Sequence, residues 1–165
     1  MGEKYKGFLY AGLMILDNEP FLIEYNVRMG DPECQVIIPR LNSDLVKIFI
    51  KSLKNKINTK KIKWKKTKCM TIVLCSKGYP KKYKKNKLIK GLKDIKQKKD
   101  IFIYHAGTTI RDDDFVSNGG RVLNITAIGY KFLKVRKKII KTLQNIKWKY
   151  GFYRRDIGWR VIKQK

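Results

Sequence analysis

Acidic side chains are scarce: 13 Asp and Glu stand against 40 Lys and Arg, a formal net charge of +27 in 165 residues. Cysteine is nearly absent too. Cys34, Cys69 and Cys75 are odd in number and irregular in spacing, which excludes a disulfide framework. They form no CxxC pair and His105 is the only histidine, so a zinc centre lacks its ligands, and the cysteines read as small, mostly buried apolar residues. Long apolar runs are missing; a run such as Val36 to Ile38 stops far short of a membrane span. The opening Met1-Gly2-Glu3-Lys4-Tyr5 has neither the pattern of a signal peptide nor that of an amphipathic transit peptide. The expectation is a cytoplasmic protein with no membrane partner.

What is present suffices for a core: 43% of residues are hydrophobic, and the length suits one domain or one and a half. The charge invites a polyanion partner. Its composition argues otherwise. Lysine, isoleucine and asparagine, all with AT-rich codons, are abundant, the lysines are scattered over the whole chain, and arginine is scarce. Nucleic-acid readers favour arginine forks in a focused patch. Lysine drift at tolerant surface positions is the better account, with nucleic acid bound only non-specifically.

Three regions follow from periodicity. In residues 1–57, the apolar run Phe8–Leu16 reads as a buried strand, Asp17-Asn18-Glu19-Pro20 as a turn, and Phe21–Arg28 as a second strand, together an antiparallel hairpin. The second strand puts Ile23, Tyr25 and Val27 on one face and Glu24, Asn26 and Arg28 on the other. Ser43 and Asp44 offer caps to a helix with Leu45, Phe49, Leu53 and Ile57 on one side. Residues 58–68 are lysine-dense and read as a solvated linker. In residues 69–165, strands are expected at Met70–Cys75, Ile101–His105 and Arg121–Ile128, turns at Gly78-Tyr79-Pro80 and Asn118-Gly119-Gly120, and a helix with the stripe Phe132, Val135, Ile139, Leu143, Ile146. The fold class is α/β (α+β), ending in an antiparallel sheet with a helix packed on it.

The chemistry gathers around residues 24–33. Glu24 and Asn26 present oxygens suited to a hard cation such as Mg²⁺, and Arg28 suits a carboxylate or phosphate. A metal beside a fixed positive charge is what phosphoryl transfer demands. By itself, E-x-N-x-R is better read as a polar, solvent-facing strand face. Gly30-Asp31-Pro32-Glu33 then adds a tight turn with two more carboxylates.

The run Ile23-Glu24-Tyr25-Asn26-Val27-Arg28-Met29-Gly30-Asp31-Pro32-Glu33 closely resembles the I-E-F-N-x-R-x-G-D-P-E signature of glycinamide ribonucleotide synthetases, purine-biosynthesis ligases of the ATP-grasp superfamily. Gly7-Phe8-Leu9-Tyr10-Ala11-Gly12-Leu13-Met14 is similar to a stretch of the same family. Colinear matches continue through Ser43-Asp44-Leu45, Gly78-Tyr79-Pro80, Gly91-Leu92, His105-Ala106-Gly107-Thr108, Asn118 to Leu123, and Arg155 to Arg160, so the resemblance covers nearly the whole chain. It implies the end of an ATP-grasp domain followed by a small carboxyl-terminal domain. The implied reaction joins glycine to 5-phosphoribosylamine with ATP cleaved to ADP and phosphate, through a glycyl phosphate. The resemblance assigns Mg²⁺ (or Mn²⁺) to Glu24 and Asn26 as metal ligands, and glycine's carboxylate to Arg28. Asp31 and Glu33 would contact a substrate amine or orient Arg28, and Gly30 would line the same turn.

Other residues carry two readings each. Asn118-Gly119-Gly120-Arg121 suits a backbone nest for phosphate with Arg121 assisting, and equally a tight turn into a strand. His105 reads as a structural strand-end residue before an acid–base group. Asp112-Asp113-Asp114 reads as solvated or paired with lysines rather than as a metal cluster. Trp148, Tyr150, Phe152, Tyr153 and Trp159 suit packing better than base stacking. Around Gly12 the first strand lacks an acidic metal ligand, and the loop after Pro80 carries Lys81, Lys82, Asn86 and Lys87 where the family favours small and acidic residues. The chain corresponds to less than half of the resembled sequences. It has no glycine-rich phosphate-cradling loop and no ATP lid, so the isolated chain is expected to be inactive. A split gene with a separate amino-terminal polypeptide, a misread gene and an inactive remnant all fit, as does a basic nucleic-acid-binding module on the same scaffold.

Overall fold

Two apolar runs joined by Asp17-Asn18 make the first hairpin of the computed structural model, which describes residue 2, residues 4–96 and residues 98–163. Met1 and Glu3 of the opening stretch lie outside the described residues. Strands β1 (Tyr10–Leu16) and β2 (Glu19–Asn26) pair antiparallel. Asp17 and Asn18 both take left-handed φ, 49° and 64°, the conformation of a two-residue turn whose twist matches that of the strands. The register slips by a bulge between Gly12 and Leu13. Phe8–Leu16 is not the buried strand that its composition suggests. Leu13 to Leu16 and Phe21 to Ile23 are all at least half exposed. Among the described residues the hairpin forms a two-stranded sheet of its own, and none of its side chains belongs to the core cluster.

The chain divides into two compact units, residues 1–65 and 66–165. In the first, the hairpin leads through α1 (Cys34–Ile37) to α2 (Leu45–Leu53). Asp44 caps α2 by accepting from the Lys47 amide at 3.0 Å. The helix stops four residues short of Ile57, because Asn55 turns left-handed and the Lys56 amide closes onto Lys51 O at 2.8 Å. Part of the lysine-dense stretch returns to this unit: Lys63 N donates to Ser43 Oγ at 2.8 Å and Lys65 N to Arg40 O at 2.7 Å.

The second unit holds β3 (Lys68–Ser76), β4 (Lys87–Leu88), β5 (Ile101–His105), β6 (Thr108–Arg111), β7 (Asp114–Ser117), β8 (Arg121–Gly129), α3 (Phe132–Asn145), β9 (Gly151–Phe152) and α4 (Trp159–Lys163). One antiparallel sheet has the order β5-β8-β3-β9, a smaller one β4-β7-β6. Val135, Ile139 and Leu143 recur every fourth residue on α3 and are buried against Ile72, Leu74, Leu123 and Ile125 of the larger sheet. Burying each such side chain contributes about 1.5–3 kcal/mol. This is the expected sheet-and-helix layer, with β5 where the sequence places it. None of the three cysteines forms a disulfide; Cys75 is buried, but Cys34 and Cys69 are only half-buried. Among the described residues, no helix is long and apolar enough to cross a membrane.

Candidate functional site

The polar face of the hairpin is built by register. Tyr10 stands opposite Asn26 and Gly12 opposite Glu24, so the four share one face. Gly12 explains why the first strand carries no acid there: a Cβ would sit 3.1 Å from Glu24 Cγ, and its absence leaves room for the Glu24 stem. Asn26 Nδ2 donates to Glu24 Oε1 at 2.9 Å. The two expected metal ligands are thus side by side, with a second Glu24 oxygen and the Asn26 amide oxygen as further acceptors.

The ladder ends at Asn26, two residues short of the strand end expected from sequence. Arg28 is therefore not fixed by strand pairing; its Nη1 donates to Met29 O at 3.0 Å. The turn that follows is compact. Cys34 N donates to Gly30 O at 2.9 Å, and Gln35 Nε2 to Asp31 Oδ1 at 2.9 Å. Gly30 is buried, and a Cβ there would lie 2.3 Å from Glu33 Oε2 and 3.4 Å from the Tyr10 ring. Glu33 precedes α1 but makes no capping bond. Its carboxylate turns to Tyr10 instead. The Tyr10 phenol is held above its ordinary pKa, first by the charge of Glu33, then by burial, its hydrogen bond to Glu33 and the charge of Glu24.

Tyr10 is the residue that sequence reasoning missed. It stands between the Glu24–Asn26 face and the Glu33 carboxylate of the turn, and its signals in the sequence are its place opposite Asn26 across the Asp17-Asn18 turn and its membership of the stretch Gly7 to Met14. Among the described residues, no three His, Cys, Asp or Glu side chains gather as a metal cluster. Two hard oxygen donors nonetheless fit Mg²⁺, which takes one or two protein ligands beside water and phosphate oxygens.

The other candidates lie in the second unit. Gly119 and Gly107 permit two backbones to cross: a Cβ on Gly107 would meet Gly119 Cα at 2.6 Å. Gly120 packs on Tyr79, which a Cβ would strike at 2.2 Å. Ser76 Oγ donates to Gly119 O at 2.7 Å and Asn118 N to Gly107 O at 2.7 Å. Arg121 opens β8 opposite Cys75. His105 ends β5 with Nδ1 2.8 Å from Thr108 Oγ1. Asp112 and Asp113 form the left-handed turn between β6 and β7, and Lys93 pairs with Asp113 and Asp114 at 3.1 and 3.7 Å. Trp148 is buried and Tyr150 and Tyr153 pack on the core, whereas Phe152 and Trp159 are exposed.

Residues 69–160 match the family model of the phosphoribosylglycinamide synthetase C domain, and residues 1–34 that of the phosphoribosylglycinamide synthetase ATP-grasp (A) domain. A phosphoribosylamine–glycine ligase of Brucella melitensis biotype 1 is 40% identical over 165 residues, which is 100% of this chain and 39% of that protein. The chloroplastic phosphoribosylamine–glycine ligase of Arabidopsis thaliana is 42% identical over 168 residues, 99% of this chain and 32% of that protein. The crystal structure of the Thermotoga maritima phosphoribosylamine–glycine ligase superposes with a TM-score of 0.73 at 30% identity, covering 90% of this chain and 36% of that one. The chain spans well under half the length of the curated relatives that it matches.

Proposed function

The chain belongs to the phosphoribosylglycinamide synthetase family, and from that premise we propose that it supplies the metal-binding strand and the carboxyl-terminal domain of a phosphoribosylamine–glycine ligase. The observation that carries the reading is the Glu24–Asn26 pair on one strand face, joined through Tyr10 to Glu33. In the proposed reaction a glycine carboxylate oxygen attacks the γ-phosphorus of ATP and ADP leaves. The amine of phosphoribosylamine then attacks the carbonyl carbon of the acyl phosphate, and phosphate leaves as the nitrogen loses a proton.

Glu24 and Asn26 would hold a divalent cation, Mg²⁺ or Mn²⁺, which neutralises charge on the ATP phosphates when bound. Arg28 would receive the glycine carboxylate in a two-pronged grip once it exchanges its Met29 carbonyl for substrate. Tyr10 holds the Glu33 carboxylate in the turn, where the missing side chain of Gly30 leaves it room, and Gln35 holds Asp31. Both acids would face a substrate amine. In the second unit, Gly119, Gly120 and Arg121 would bind substrate.

Two measurements test this. Mn²⁺ titrated into the isotope-labelled chain should broaden the amide signals around Glu24 and Asn26, and Glu24→Gln should abolish that broadening. Broadening centred on Asp112 to Asp114 instead would sink the metal assignment. In an enzyme reconstituted around this chain, phosphate release should require ATP, glycine and phosphoribosylamine together. Glu24→Gln should lower turnover more than about tenfold, roughly 1.4 kcal/mol in the barrier.

A further inference from the structure

Lysine is spread along the whole chain, but in the second unit it meets a shaped cavity. Residues 77–87 carry Lys77, Lys81, Lys82, Lys84, Lys85 and Lys87 and no acid. Lys77, Lys82 and Lys84 line a cavity of ≈ 380 Å³ together with Tyr83 and Tyr150. The ammonium groups of Lys87 and Lys149 stand 5.1 and 5.5 Å from the Tyr150 ring centroid, adding charge at its rim.

The backbone around the cavity is pinned. Lys77 N donates to Tyr150 O at 2.7 Å, Tyr79 N to Ser76 O at 3.0 Å, and Asn86 N to Ser117 O at 2.6 Å. Gly78, at φ +103°, lets the Lys82 carbonyl come within 2.1 Å of where a Cβ would stand. The ion pairs of this unit among the described residues engage Lys93, Lys138 and Arg154, not the cavity lysines. Lys77, Lys82 and Lys84 thus share a cavity on a fixed backbone frame with two tyrosines, and among the described residues no acid forms an ion pair with them.

We propose that this cavity binds single-stranded nucleic acid, with the phosphodiester chain along Lys77, Lys82 and Lys84 and an unstacked base against Tyr83. Rings in a concave site reach only bases that a duplex would keep stacked. The charge continues at the rim of the cavity, where Lys87 and Lys149 stand over the Tyr150 ring, so more than one phosphate group can be met. This binding is independent of the ligase reading, because it needs neither Glu24 nor ATP.

The test is fluorescence anisotropy of the intact chain with a labelled oligouridylate of about twelve nucleotides. Across salt from about 50 to about 200 mM, Lys82→Gln/Lys84→Gln should weaken binding at least about tenfold and reduce the salt slope by about 1.4. The charge-matched Lys134→Gln/Lys137→Gln on α3 should weaken it no more than about threefold. Tyr83→Ala should lower affinity without changing the slope, and Tyr83→Phe should restore it. Circular dichroism checks each fold; if the double variant unfolds, Lys84→Gln alone is compared with Lys134→Gln alone. Equal losses in the cavity and α3 variants would mean diffuse charge and overturn the site. So would a silent Tyr83→Ala with inorganic polyphosphate competing as well as the oligonucleotide, or no measurable binding at all.

Discussion

Tyr10 shows how one hydroxyl can organise a site that has three acids and few fixed partners. It lies opposite Asn26, beside the stem of Glu24, with its phenol on Glu33. A carboxylate beside a phenol disfavours phenolate, so Tyr10 should titrate above the ordinary tyrosine value of about 10. Carbon-labelled tyrosine NMR can follow this, with Tyr10→Phe identifying the signal. Glu33→Gln should bring the titration back down; an unchanged Tyr10 titration in that variant would break the link. In the reconstituted enzyme, Tyr10→Phe should lower turnover several-fold while Mn²⁺ broadening at Glu24 persists, as expected of a residue that positions rather than ligates. At Arg28, lysine keeps the charge but loses the fork. Arg28→Lys should depress turnover at saturating glycine and leave the ATP dependence in place. Weakened ATP binding alone would make Arg28 a nucleotide contact.

At the scale of elements, the glycine crossing and the α3 stripe set the strictest requirements. Gly107→Ala would drive a Cβ to 2.6 Å from both Gly119 Cα and Arg121 O, atoms that cannot swing aside. Urea unfolding should show a loss of about 1–3 kcal/mol, as for an overpacked core. Ile139→Ala, fully buried on α3, should cost about 2–5 kcal/mol. Elements with a strong period were legible in the sequence: β5, β8 and α3 fall within a residue or so of their expected places. The hairpin β6–β7 was not, because Asp112-Asp113-Asp114 reads as an acidic cluster until its φ angles show a turn. β4 and β9, two residues each, carry no period at all. The shared face of Glu24 and Asn26 was legible from alternation, but the place of Tyr10 on it was not, since that depends on a pairing register interrupted by a bulge after Gly12. The exposure of β1 and β2 was equally hidden: composition states what can be buried, and only the neighbouring layers decide what is.

For the molecule as a whole, the core cluster belongs entirely to residues 66–165. Native-state hydrogen exchange should accordingly find the slowest amides in β3, β8 and α3, and faster exchange in β1 and β2. Acid sensitivity should come from the same unit. Lys138 donates to Asp100 and holds its carboxyl below the usual aspartate range, outweighing the opposite push of burial. The Arg154 fork does the same to Asp156. Just below the ordinary value of about 3.9, the unfolded chain then binds more protons than the folded one. The resulting stability is complete above that value and is lost as pH falls through the depressed one. Asp100→Asn should flatten this acid limb in thermal unfolding, by a small amount because the pair is more than a third exposed.

The uncovered apolar hairpin also bears on how the protein behaves in solution. Its Leu13 to Leu16 and Phe21 to Ile23 are adhesive surface on a molecule that carries +27 charges. In dilute buffer, like-charge repulsion holds molecules beyond the reach of that adhesion. The screening length shrinks from about 30 Å at 0.01 M salt to about 3 Å at 1 M, and repulsion then fails before short-range apolar attraction does. The second virial coefficient from light scattering should pass from positive to negative as salt rises. Ile15→Lys, which puts a charge within the exposed apolar run Leu13 to Leu16, should move that crossing to higher ionic strength.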